Sequence, residues 1–202
     1  MTVRAACFDL LSALLDSWAV WDAVAAELGL PGLGRPWRRR YLALTSTTGA
    51  YRPYLDLVEQ SAREVGLPSI AAGALERRWP GLSPWPDVVP ALSALALPLA
   101  VVTNCSEVLG QAAAARVGLS FAAVVTAEIA GAYKPDPAAY RLACEHLGHA
   151  PSQVAYIAGS PFDAEGALAH GFHVTWVNRL GDAVPPSLTG VQVIGSFAGW
   201  TP

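Results

Sequence analysis

The chain has 202 residues, 53% of them hydrophobic and 14% charged, with a formal net charge of −3. That length accommodates one large domain, or a core with a smaller unit inserted, and the apolar share is ample for a buried interior. The balance is acidic and the densest basic cluster is only Arg38 to Arg40, so a nucleic-acid surface is not expected.

The opening stretch, MTVRAACFDLLSALLD, carries Asp9 inside its apolar run and lacks a cleavage site, so no signal peptide is expected. No apolar run approaches about 20 residues, so no membrane span is expected either. Cys7, Cys105 and Cys144 are odd in number and lack CxxC spacing. They fit reduced thiols in the cytoplasm and offer no zinc site. Four histidines, His146, His149, His170 and His173, show no metal-ligand spacing.

The first predicted element is a strand over 3–11, which ends on Asp9 and two leucines. Four helix-like stretches follow, beginning near Ser17, Pro36, Tyr51 and Ser69, with Ser17 as the expected N-cap of the first. The Pro-rich stretch Gly81 to Pro90 marks a return to a different pattern. From there apolar strands over 97–104, 121–126, 153–159, 173–178 and 191–195 alternate with helices from Ser106, Asp136 and Pro161. Continuous apolar strands are buried on both faces, as in a parallel sheet. The fold class is therefore α/β: a Rossmann-like, doubly wound parallel sheet core, residues 1–12 and 82–202, with a helical cap inserted at 13–81.

Ligands of open parallel sheets bind beyond the carboxyl ends of the strands. The polar residues expected there are Asp9, Thr103 and Asn104, Lys134, and Ser160 with Asp163. Each has a plainer reading. Asp9 and Asn104 suit turns, Asp136 before Pro137 suits an N-cap, and Asp163 suits a first-turn charge. Lys134 and Arg38 could be solvated. Cys105 has no histidine placed to activate it and reads as a small buried residue.

Taken together, the stretches FDLL, VVTNCS, YKPDPAAY, AGSPFDAEGALAHGF and WVNR resemble the haloacid dehalogenase-like hydrolases over nearly the whole chain. The resemblance implies an aspartate nucleophile at Asp9, a hydroxyl and an amide at Thr103 and Asn104, a lysine at Lys134 and an acid at Asp163. Most of that superfamily are magnesium-dependent phosphatases. They carry a second acid two residues after the nucleophile, here Leu11, and a metal-ligating acid at the position of Gly159. Phosphoryl transfer needs such groups to offset charge, so magnesium, or any other cofactor, is not expected.

The L-2-haloacid dehalogenase branch departs from the phosphatases at the same two places, and a halide leaves without a proton. It is the branch this chain resembles most. It implies Arg38, in PWRRRYLAL, as the group reaching in from the cap, Tyr140 beside the lysine, and Ser160 among the substrate contacts. The chain departs from it where Ser12 and Ala13 replace a Gly-Thr and where Ala158 and Ser160 replace a Ser and an Asn. The expected function is metal-independent hydrolysis of a small 2-haloacid or related carboxylate. The expected partner is that small molecule, with no nucleic acid or membrane, and a homodimer is compatible. The alternatives are a catalytically silent binding protein and a weak magnesium-dependent phosphatase.

Overall fold

A computed structural model describes residues 2–202. Strands β1 (Ala5–Asp9), β2 (Leu99–Thr103), β3 (Ala123–Thr126), β4 (Val154–Ala158), β5 (His173–Val177) and β6 (Gln192–Ile194) form one sheet, in the order β3-β2-β1-β4-β5-β6. Every pairing is parallel. The central strands β1 and β4 are buried at each position, which is why their sequences read as unbroken apolar runs.

Helices α1 (Ser17–Glu27), α2 (Gly34–Thr48), α3 (Tyr54–Glu64) and α4 (Ala71–Arg78) follow β1 and pack on one another. Helix α5 (Val88–Ser93) leads into β2, and α6 (Glu107–Arg116) joins β2 to β3. Helices α7 (Ala127–Ala130) and α8 (Pro137–Leu147) join β3 to β4, and α9 (Pro161–Ala169) joins β4 to β5. Among the described residues, no helix is long and apolar enough to cross a membrane.

Strand side chains alternate between faces. Ala6 and Phe8 share one face with Val101, Ile157 and Phe197. Ala5 and Cys7 share the other with Tyr156, Ala158 and residues of α8 and α9. Asp9 continues the Cys7 side.

Local chemistry shifts two of the expected boundaries. The first strand stops at Asp9 rather than Leu11, because the Asp9 carboxylate accepts the Ser12 amide at 2.8 Å and the Ala13 amide at 3.3 Å. These bonds bend residues Leu10–Leu14 into a single π-helical turn. The N-cap of α1 is Asp16, which accepts from the Ala19 amide at 3.1 Å. Ser17 lies inside the helix, fully buried, and donates its hydroxyl to the Leu11 carbonyl. Asp136 does cap α8, accepting from the Ala138 amide at 2.9 Å with Pro137 in the first turn, and the helix ends on Gly148 at φ 67°. The chain leaves for α1 and returns before β2 side by side: Leu15 bridges Pro84, and the Trp85 amide donates to the Leu14 carbonyl.

Candidate active site

In this strand order the topology reverses between β1 and β4, and the crevice opens at their carboxyl ends. Asp9 is the last residue of β1. Lys134, from the loop before α8, reaches it across the crevice. Its ammonium nitrogen lies 3.0 Å from Asp9 Oδ1, 2.8 Å from Asp163 Oδ2 and 2.9 Å from the Val102 carbonyl. Lys134 is only 4% exposed, so it is no solvated loop residue. Asp163 sits in the first turn of α9, 5% exposed, and its second oxygen accepts from the Tyr140 and Tyr156 hydroxyls, each at 2.9 Å.

The two carboxylates are driven apart by their surroundings. Burial pushes Asp9 up, but the Lys134 ammonium and the hydrogen bonds from Lys134 and the Ser12 amide outweigh it. Asp9 lies below the usual carboxylate range. For Asp163 burial prevails over the pull of Lys134, and the negative charge of Asp9 adds to it, so Asp163 lies above that range. Burial pulls Lys134 down, yet its two carboxylate neighbours hold it above the usual lysine value.

Arg38 projects from α2 to the same place. It is 1% exposed, with its guanidinium carbon 4.8 Å from the Trp18 ring centroid and 5.5 Å from that of Trp21. Its Nη2 donates to Ser12 Oγ at 2.8 Å and to the Leu11 carbonyl at 3.3 Å. Among the described residues its Nε and Nη1 have no partner, and neither has the Thr103 hydroxyl. Buried donors left open in this way are uncommon and point to an anionic ligand.

Asn104 is committed to the backbone of Lys134: its amide nitrogen donates to the Lys134 carbonyl at 3.0 Å, and its oxygen accepts from the Lys134 amide at 2.7 Å. Ser160 caps α9, accepting from the Asp163 amide at 3.3 Å. Cys105 is fully buried and burial pushes its thiol up, away from the thiolate a nucleophile needs.

A cavity of about 30 Å³ lies among these groups. That is room for one or two waters. Asp9, Ser12, Arg38, Thr103, Asn104, Lys134, Ser160 and Asp163 line it. Tyr140 does not; it stands behind Asp163. Leu42, Ser160 and Phe162 separate the cavity from an outer groove of about 430 Å³ at the edge of α2. The sequence reading missed Tyr41, Leu42 and Phe162 on the wall, and Tyr156 beneath it. For Tyr156 a signal was available, since two residues along a strand share a face and Ala158 had been singled out.

Gly159 is forced by proximity. A Cβ there would lie 2.4 Å from Asp9 Oδ2, 2.6 Å from Ser12 Cβ and 2.8 Å from the Ala13 amide nitrogen. An acidic side chain at this position has no room beside Asp9 as it stands. Gly159→Ala is expected to destabilise the protein by about 1–3 kcal/mol through overpacking. A denaturant midpoint equal to that of wild type would contradict this tight fit. Among the described residues, no group of three His, Cys, Asp or Glu side chains gathers closely enough to hold a metal ion.

The sequence and the fold both match known proteins. The sequence model of the haloacid dehalogenase-like hydrolases matches residues 3–171. An (S)-2-haloacid dehalogenase of Xanthobacter autotrophicus is 30% identical over 194 residues, covering 88% of this chain and 76% of that protein. Haloacetate dehalogenase H-2 of Moraxella sp. (strain B) is 29% identical over 199 residues, covering 90% of this chain and 88% of its own length. The crystal structure of the L-2-haloacid dehalogenase RSc1362 superposes with a TM-score of 0.84 at 30% identity, over 98% of this chain and 97% of that one. The Xanthobacter autotrophicus L-2-haloacid dehalogenase with chloropropionic acid covalently bound gives 0.80 at 26% identity, over 97% and 96% of the two chains. The chain belongs to the haloacid dehalogenase-like hydrolase family.

Proposed function

We propose that the protein hydrolyses a small 2-haloacid without a metal, using Asp9 as nucleophile, in a core of residues 1–12 and 82–202 beneath a helical cap of residues 13–81. The observation that carries this reading is the buried Asp9–Lys134–Asp163 chain facing an Arg38 with open guanidinium donors. Arg38 and Thr103 then bind the substrate carboxylate or the departing halide. Lys134 keeps Asp9 ionised.

An Asp9 oxygen attacks C2 of the substrate, the carbon–halogen bond breaks, and the halide leaves with the bonding pair. The product of this step is an ester of Asp9. Water then adds to the ester carbonyl carbon and gives its proton to Asp163, the carboxylate whose surroundings favour taking one. The Ser12 and Ala13 amides already point at Asp9 Oδ2, as an oxyanion hole would require. That leaves Oδ1 to form the ester bond. Collapse of the adduct expels the 2-hydroxyacid oxygen, which takes the proton back from Asp163, and the Asp9 carboxyl re-forms and releases its proton to solvent.

The test is halide release from 2-chloropropionate and chloroacetate with EDTA present, together with single-turnover trapping of a mass increment on the Asp9 peptide. Release with a trapped adduct is expected. The narrow cavity and the apolar Ala13 and Ala158 favour the second reading, a silent binding protein. Binding of 2-chloropropionate, with neither halide nor adduct at any pH, would establish that reading and defeat ours.

A further inference from the structure

Lys134 has four oxygen neighbours for its three ammonium protons. Three of them, on Asp9, Asp163 and Val102, lie within 3.0 Å. The fourth, the Tyr156 hydroxyl, lies at 3.1 Å and is also 2.9 Å from Asp163 Oδ1. With the ammonium protons committed, the phenol's own proton goes to Asp163. Its oxygen rests against Lys134. Tyr156 thus wedges the cation and the second carboxylate at a fixed separation.

Nothing about packing demands that hydroxyl. Tyr156 is fully buried, with its ring against Tyr140 and Phe172 at centroid distances of 5.4 and 5.3 Å. A phenylalanine would satisfy those contacts. Ala158, on the same face of β4 and closer to the crevice, offers no polar group. The phenol is the polar group that β4 itself extends from that face to the Lys134–Asp163 pair.

We propose that Tyr156 is a positioning residue for the reaction: its hydroxyl orients Asp163 and Lys134 so that Asp163 can receive the proton of the hydrolytic water. The proposal rests on the dehalogenase reading above. Tyr156 does not line the cavity, so it acts on the second step through Asp163 and leaves substrate contacts alone. The groups facing Asp163 are Asp9 and Cys7 from β1, Lys134, Tyr140 from α8 and Tyr156 from β4, with His170 stacked on Tyr140. Among these, Tyr156 touches both members of the pair.

Tyr156→Phe is the test, read by steady-state halide release across pH and by single-turnover trapping. Loss of a hydrogen bond to a charged group is expected to lower kcat about ten- to hundredfold. KM should fall together with kcat, so that kcat/KM changes little, because slowing ester hydrolysis leaves the first, irreversible step untouched. The ester on Asp9 should accumulate, since its hydrolysis is the step that slows. Losing a donor to ionised Asp163 should also move the acid limb of the kcat profile to higher pH. Unchanged kcat and an unmoved acid limb in a folded variant would overturn the proposal. Should Tyr156→Phe not fold, Tyr156→Met, of similar bulk, takes its place; failure of both to fold would make the residue structural and equally overturn it. Absence of turnover in the wild type would instead defeat the dehalogenase reading.

Discussion

Asp9→Asn is expected to abolish halide release while leaving the protein folded. The amide cannot displace a halide at carbon, so the covalent route closes, and turnover should fall by at least about 10⁴-fold. Stability should fall modestly, because the amide nitrogen turns a donor toward the Lys134 ammonium where Oδ1 accepted from it. Asparagine keeps an oxygen for the Ser12 and Ala13 amides, and Lys134 retains Asp163 and the Val102 carbonyl. Removing the Asp9 charge also relieves Asp163, which that charge pushes up. A melting temperature within a few degrees of wild type, with no halide and no trapped mass, is the expected pair of results. An active Asp9→Asn would remove Asp9 from the mechanism altogether.

Lys134→Met should be the most destabilising single change in the site. It leaves two buried carboxylates, Asp9 and Asp163, without their shared cation. Breaking a buried ion pair by removing one partner costs about 3–5 kcal/mol, or about 10–15 °C in a chain of this size. The loss should depend on pH, with a definite sign. In the wild type Asp9 is held low, so its contribution is present at neutral pH and lost as pH falls through its lowered value. In the variant both carboxylates lose the Lys134 counter-charge and rise, so the folded state takes up a proton more readily than the unfolded one. The variant's deficit should therefore shrink between pH 7.5 and pH 5. Thermal melts of both proteins at the two pH values measure this. An equal deficit at each would mean the carboxylates were not held by Lys134.

The strands were legible because both faces of a parallel sheet are buried, and burial writes continuous apolar runs into β1, β2 and β4. The polar residues at strand ends were legible for a topological reason: Asp9, Thr103 and Ser160 with Asp163 each follow an apolar run, and the sheet brings those ends to one edge. The N-cap at Asp136 was legible because Asp-Pro is a local signal. The cap of α1 was not. Asp16 and Ser17 are both good caps, and what separates them is that Ser17 is buried against the Leu11 carbonyl, a contact set by the π-helical turn.

Composition and periodicity thus determined the class of fold and the strand ends that face the crevice, and the resemblance to the dehalogenase-like hydrolases marked the acidic positions missing at Leu11 and Gly159. Only the tertiary structure decided what those groups do to one another. That Lys134 sits between two carboxylates, that Arg38 is buried with open donors, and that Gly159 is bare because Asp9 occupies its space are facts of contact between segments far apart in the chain. Tyr156 is the sharpest case. In sequence it is one more apolar-run aromatic, and its hydroxyl acquires meaning only where packing of α9 and the Lys134 loop against β4 brings Asp163 and Lys134 within hydrogen-bonding reach.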